Sequence, residues 1–201
     1  MSLVQKSEVK KAIDAVKNGE IIGFPTETVY GLGVIYDNKK AYEKLIKAKR
    51  RPPFKPFTLM LADIRDIMDF AEIDIAAEKL IKKYMPGPFT LILKAKRGLP
   101  KWVVSQEGNV GIRIPNDDFI REMIRKVGKP LLVPSANRSG EVPGVTGQEV
   151  YDVFKDEVAV IIDGHSAGTV PSTVVQLEQG FIHVIREGAL KEEDILQTVR
   201  G

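Results

Sequence analysis

The stretch LLVPSANRSG (131–140) decides how the chain is read. A short apolar run stops at Pro134, and the next six residues bring two serines, an asparagine, an arginine and a glycine. A buried strand that opens into small polar groups has the form of a ligand-binding strand end, since helix-covered sheets place ligands beside the ends of their strands. The same arrangement recurs along the chain. PTETVYGLG (25–33), KAKRRPPFKP (47–56) and GIRIP (111–115) also follow or interrupt apolar strands, and GTVPST (168–173) precedes one.

Working outward, apolar periodicity places the remaining elements. Ser7 is positioned to cap a helix with Val9, Ala12, Ile13 and Val16 on one face, ended by Gly19. EIIGF (20–24) reads as a strand and PTETVYGLG as the loop after it. Asn38 caps a helix bearing Ala41, Leu45, Ile46 and Ala48, stopped by Pro52 and Pro53. FTLMLA (57–62), FTLILKA (89–95), VGIRIP (110–115) and PLLVP (130–134) read as strands, as do VAVIID (158–163), STVVQL (172–177) and FIHVIR (181–186). Asp63, Asp74 and Asn116 are the expected caps of three further helices, the last carrying Phe119, Ile120, Met123, Ile124 and Val127. Thr146 and Glu149 form a capping-box pattern ahead of Val150, Val153 and Phe154, and a final helix starts near Lys191. Interleaved strands and helices with no linker imply an α/β fold of the α+β type. It is read as one domain over 1–201, a mixed twisted sheet flanked by helices.

Composition narrows the function classes. The 201 residues hold no cysteine and two histidines, His165 and His183, so disulfides, thiolate metal sites and a histidine-rich metal site are excluded. The opening MSLVQKSEVKKAI lacks a signal-peptide core and no run reaches membrane-spanning length, so a cytoplasmic protein without membrane contact is expected. Net charge is only +3, but KLIKAKRRPPFK (44–55) carries six cations and no acid. Such a run is either a solvated face or an anion or nucleic-acid site. No GxxxxGK[ST] loop, no GxGxxG opening a helix, no zinc spacing and no GxSxG elbow occurs.

The polar loops share one chemistry. Lys49, Arg51 and Lys55 supply cations, and Thr26, Thr28, Ser135, Ser139, Ser172 and Thr173 supply hydroxyls. Gly31, Gly33 and Gly140 permit close approach to backbone N–H groups. The set suits phosphate oxygens and a carboxylate. On residues alone a plainer reading stands beside it. Thr26, Thr28, Ser135 and Asn137 serve as turn residues, Lys49 and Arg51 as helix C-terminal cations, Arg113 as partner of a surface carboxylate, and His183 and Trp102 as structural residues.

Taken together, these loops resemble the YrdC/TsaC family. PTETVYGLG is similar to its PTDTVYGLG signature, Lys49-Arg50-Arg51-Pro52 with Pro56 to K-x-R-P-x-x-x-P, and PGPFTLIL (86–93) to PGP-x-T. GIRIP resembles V-R-x-P, PSANRSG resembles S-A-N-x-S-G, PSTVV resembles the S-T-V segment and IREGAL (185–190) the closing R-x-G. The matches run in family order from about Ile21 to Leu190. The resemblance implies a single YrdC-like domain with a large concave basic surface. It also implies synthesis of L-threonylcarbamoyladenylate from L-threonine, bicarbonate and ATP, with Mg2+ accompanying the ATP and no metal ligands from protein side chains. Pyrophosphate is released, and a tRNA threonylcarbamoyl-transferase partner consumes the product. By the same resemblance Lys49, Arg51, Ser135 and Asn137 form the nucleotide site, with Lys49 and Arg51 on phosphate oxygens and Lys55 and Arg186 on the ATP side. Thr28, Arg113 and Ser172 or Thr173 map to the threonine pocket.

Three positions depart from the pattern. Met60 stands where many synthases carry histidine, Gln176 replaces the acid of S-T-V-V-D, and Pro143-Gly144-Val145-Thr146 replaces a closing P-T. KPFTLMLADIRDI looks more like the YciO branch. The alternatives are therefore a YciO-like nucleotide-binding paralogue with a different acceptor, or a protein binding double-stranded RNA or tRNA without catalysis. The chain ends at Gly201, so the extra C-terminal domain of longer relatives is expected to be missing.

Overall fold

The computed structural model describes residues 2–52, 55–178 and 180–200; Pro53, one of the two expected helix stops, lies outside them. Ten strands form one mixed sheet: β1 (Ser2–Val4), β2 (Ile22–Phe24), β3 (Gly31–Ile35), β4 (Leu59–Met60), β5 (Phe89–Lys94), β6 (Asn109–Arg113), β7 (Leu131–Leu132), β8 (Val160–Ile162), β9 (Thr173–Glu178) and β10 (Phe181–Arg186). Their spatial order is β1-β8-β2-β3-β7-β4-β6-β5-β9-β10. The pairs β1/β8, β2/β8, β4/β6 and β5/β9 are parallel and the others antiparallel. Among the described residues no helix is long and apolar enough to cross a membrane.

The helices are α1 (Val9–Lys17), α2 (Lys39–Lys49), α3 (Ile67–Phe70), α4 (Ile75–Tyr84), α5 (Asp118–Val127), α6 (Gly147–Phe154) and α7 (Glu192–Arg200). Strand side chains alternate between two faces, and the two faces are treated differently. One packs against α2, α4, α6 and α7, with Leu45, Leu80, Phe154 and Ile195 meeting Leu59, Leu91, Ile112 and Val175. The other is covered by α1 and α5, whose Ile13, Val16, Ile120 and Ile124 meet Ile22, Phe24, Ile35, Leu131 and Ile162. These two helices cover the β8-β2-β3-β7-β4 half of that face. The residues of β6, β5 and β9 that point the same way are absent from this core: Gly111, Arg113, Thr90, Ile92, Val174 and Gln176.

Several expectations shift by a residue or more, for identifiable reasons. Residues 31–33, read as loop, belong to β3: a side chain at Gly31 or Gly33 would strike Val133 or Phe24 at 2.7 Å, so these glycines make room for the core. Strand β1 is too short for periodicity to reveal. Ser7 lies inside a 3-10 turn, where the Gln5 N–H donates to Glu8 Oε2 at 3.2 Å, and α1 starts only at Val9. Asp117 rather than Asn116 caps α5, its Oδ1 accepting from the Ile120 N–H at 3.1 Å, while the Asn116 N–H donates to Glu27 Oε1 at 3.0 Å. Asp63 precedes a 3-10 turn but its carboxylate goes to Arg125 at 2.9 Å. Val153 is 41% exposed, while Val150 and Phe154 are buried. Asn38, Asp74 and Thr146 each cap as expected.

Candidate active site

The uncovered half of the second sheet face is the floor of a cleft of about 650 Å3. Two rows of paired strand residues cross it. Met60 pairs with Arg113 and Thr90 with Val174; Ile92 lies between Gly111 and Gln176. The walls come from the polar loops: Thr26, Thr28 and Tyr30 from one, Arg51, Lys55 and Pro56 from the next, then Ser135, Ser172 and Arg186. The β5–β6 connection adds Ser105, Glu107 and Asn109. Sequence reading missed Thr90, Ile92, Glu107 and Asn109. The period-two pattern of FTLILK does carry the signal for the first two, since Phe89, Leu91 and Leu93 face the opposite core.

One wall is cationic. Arg51 donates from Nε to Lys55 O at 3.0 Å and from Nη2 to Pro56 O at 3.2 Å, and lies 5.0 Å over the Phe57 ring. Arg186 donates to Ser172 O at 2.8 Å and 3.2 Å and to Ser172 Oγ at 3.3 Å. Among the described residues none of Arg51, Lys55 and Arg186 takes part in an ion pair. Burial lowers the Arg51 pKa from its ordinary value, and the charge of Arg186 adds to that against the opposing pull of Tyr42. Burial and the charge of Arg113 lower that of Arg186. Both stay protonated, given arginine's high intrinsic basicity, so the wall holds desolvated charge that an anion would stabilise.

Behind this wall lies Lys49, the last residue of α2 and only 2% exposed. Its ammonium donates to Ser135 O at 2.5 Å, Asn137 O at 2.6 Å and Asn137 Oδ1 at 3.2 Å. Burial, then the charges of Arg51 and Arg138, push its pKa down to about 7, against a partial offset from Glu141. Arg50, with φ +49°, is left-handed and turns the chain so that Lys49 and Arg51 face different surroundings. Asn137 is likewise engaged: Oδ1 accepts from Ser135 Oγ at 2.6 Å, and Nδ2 donates to Arg138 O and Glu141 O. Ser135 lines the cleft; Lys49 and Asn137 lie behind it.

The floor of the cleft carries Arg113, 7% exposed. Its Nη2 donates to Thr28 Oγ1 and Glu27 Oε1, both at 2.9 Å. Thr26 donates to Val29 O at 2.8 Å, so the 2.9 Å contact between the two threonine hydroxyls has Thr28 as donor. Arg113 Nε and Glu27 Oε2 are buried with no protein partner among the described residues. Ser172 Oγ and Thr90 Oγ1 are bonded at 3.0 Å. Thr173 is fully buried outside the cleft; its hydroxyl donates to Leu190 O and accepts from the Gly188 and Leu190 N–H groups, fixing the turn before α7. Trp102 stacks on Tyr42 and donates to Tyr36 O at 2.9 Å, a packing role.

A cleft on a bare half-face, with un-neutralised cations on its wall and a buried arginine on its floor, fits a small substrate carrying more than one anionic group. The comparisons agree with that class. The Sua5/YciO/YrdC family model, described as telomere recombination, matches residues 14–188, and the chain belongs to this family. A putative threonylcarbamoyl-AMP synthase of Methanocaldococcus jannaschii is 35% identical over 93% of this chain and 90% of its own. The crystal structure of Pyrococcus abyssi Sua5 complexed with L-threonine superposes with a TM-score of 0.90 at 30% identity, covering 98% of this chain and 58% of that one. Escherichia coli YciO gives a TM-score of 0.85 at 28% identity over 93% and 92% of the two chains. The chain thus spans under two thirds of the Pyrococcus protein and nearly all of YciO.

Proposed function

We propose that this protein is an L-threonylcarbamoyladenylate synthase, a nucleotidyltransferase of tRNA modification acting in the cytoplasm. The observation that carries the reading is that one cleft of about 650 Å3 is lined by Arg51, Lys55 and Arg186 and also by Arg113, so that it offers more than one anion-binding cation. Arg51, Lys55 and Arg186 face the phosphates of ATP, with Ser135 beside them. Arg113, supported by Thr28, takes the carboxylate of threonine, and the Ser172–Thr90 hydroxyl pair lines the same cleft beside Arg186. Among the described residues the lining offers a single carboxylate, Glu107, so its donors fit a Mg2+ ion carried by the triphosphate rather than one held by the chain.

In this scheme the threonine amine and bicarbonate form a carbamate with loss of water. A carbamate oxygen then bonds to the α-phosphorus of ATP. The α–β bridging bond breaks, its electron pair leaving with pyrophosphate. No side-chain nucleophile is needed; the residues orient two anions in line and stabilise charge as it shifts between oxygens. A transferase partner then passes the threonylcarbamoyl group to tRNA.

The test is pyrophosphate release from MgATP and bicarbonate, with L-threonine, with L-serine and with neither. Threonine-dependent release, with threonylcarbamoyl-AMP identified by mass spectrometry, is the expected result. Release indifferent to threonine would replace it with a different acceptor, and absence of release from folded protein would remove the enzyme reading.

A further inference from the structure

We infer that Lys49 is a positioning residue: it clamps the 135–141 turn from beneath, so that Ser135 is presented to the cleft, and acts without touching the nucleotide. This rests on the nucleotide-site reading above but differs from the phosphate-binding role that resemblance implies for Lys49. All three ammonium N–H groups are already taken, by Ser135 O, Asn137 O and Asn137 Oδ1. To reach a phosphate, Lys49 would have to give up at least one of these three bonds and loosen its hold on the turn.

The clamp is two-sided. The Lys49 carbonyl accepts from the Ser139 N–H at 2.9 Å, so one residue holds the turn through both its backbone and its side chain. Inside the turn, the Asn137 N–H donates to Ser135 O at 3.0 Å, and the Ser135 hydroxyl donates to the same Asn137 Oδ1 that Lys49 engages. Ser135 O and Asn137 Oδ1 are each shared by the ammonium and one turn donor, so the lysine ties together the groups that shape the turn. The charged groups facing it are Arg51 beyond the helix end and Arg138 and Glu141 on the turn. No carboxylate among the described residues forms an ion pair with it.

Lys49→Met and Arg51→Ala separate a clamp from a phosphate ligand. Amide hydrogen exchange across 135–141 is measured without nucleotide, and binding of AMP and of a non-hydrolysable ATP analogue by calorimetry. The clamp predicts that Lys49→Met speeds exchange at Asn137 and Ser139 about tenfold in the free protein and weakens both nucleotides by a similar factor. Arg51→Ala leaves that exchange unchanged and costs the ATP analogue more than AMP. Unchanged exchange in Lys49→Met, with the greater loss on the ATP analogue, overturns the proposal. Should Lys49→Met fail to fold, the wild type decides. Scalar couplings from the Lys49 ammonium nitrogen to the Ser135 and Asn137 carbonyl carbons persist on nucleotide saturation if the clamp is right and vanish if Lys49 moves to the phosphates. A wild type that binds neither nucleotide refutes the nucleotide site instead, and the ligand-free exchange still decides the clamp.

Discussion

The two halves of one sheet face make an instructive pair. Both halves carry strands with the same alternation and back onto the same large core. Under α1 and α5 the inward positions are Ile22, Phe24, Ile35, Leu131 and Ile162, and the half is dry. On the bare half the equivalent positions are Thr90, Ile92, Gly111, Arg113, Val174 and Gln176, and the half is a cleft. Met60 sits at the border, counted with the dry core and lining the cleft. The difference teaches that a site need not be carved into a fold. It can be the stretch of sheet left without a covering helix, where polar residues and a glycine interrupt the apolar ones.

That contrast can be broken most strongly from the dry side. Phe24→Ala leaves a large void among Val133, Gly31 and Gly33, and unfolding in urea is expected to register a loss of about 3–5 kcal/mol, with turnover per folded molecule retained. On the bare side Arg51→Ala does the reverse. Adenylate formation falls roughly 10²–10³-fold while the melting temperature stays close to wild type, as removing one electrostatic donor from a reacting phosphate implies. Wild-type-like turnover in that variant would remove Arg51 from the site. Arg113→Met blurs the line between halves: it strands the Glu27 carboxylate, and a stability loss of about 3 kcal/mol should accompany weaker threonine binding. A threonine KM that rises with no change in stability would mean that Glu27 finds another partner.

The smallest expected effect is a pH dependence. The Lys49 pKa is pushed down to about 7 in the folded state from an ordinary 10.5, so above pH 7 the unfolded state binds more protons. The burial penalty is therefore in full force below pH 7 and is relieved as pH rises towards 10.5. Between pH 7 and 8 the wild type should gain about 1 kcal/mol relative to Lys49→Met in matched urea titrations. A difference that stays flat, or runs the other way, would mean that the ammonium is better compensated than its partners suggest.

Much of this was legible from residues. The caps Asn38, Asp74 and Thr146 were readable because a side-chain oxygen three residues before an N–H is a local relation. The polar loops at strand ends were readable by composition, and they do converge: Thr28, Arg51, Lys55, Ser135, Ser172 and Arg186 share one cleft, with Arg113 on its floor. What sequence could not supply was direction. Thr173 is adjacent to Ser172 and of the same chemistry, yet strand alternation turns it away to hold Leu190. Gly31 lines the cleft as a ligand-access glycine would, yet it is also a spacer for Val133, a contact a hundred residues on that no local pattern encodes, and Gly33 is a spacer for Phe24. Asp117 rather than Asn116 caps α5, a choice between two adjacent side-chain acceptors that the local sequence does not settle.

Arg50 gives the neighbouring pair of cations its meaning. It is the one non-glycine with positive φ among the described residues, and it stands between Lys49 and Arg51. The backbone reverses hand there, so the chain delivers one positive charge inward and the next outward within a single step. The letters K-x-R thus work as a spelling in which the middle character is a junction, not a blank. Deleting it would do more than shorten the loop, because Arg51 would fall on the junction itself and the cleft would lose a charge that the chain still contains.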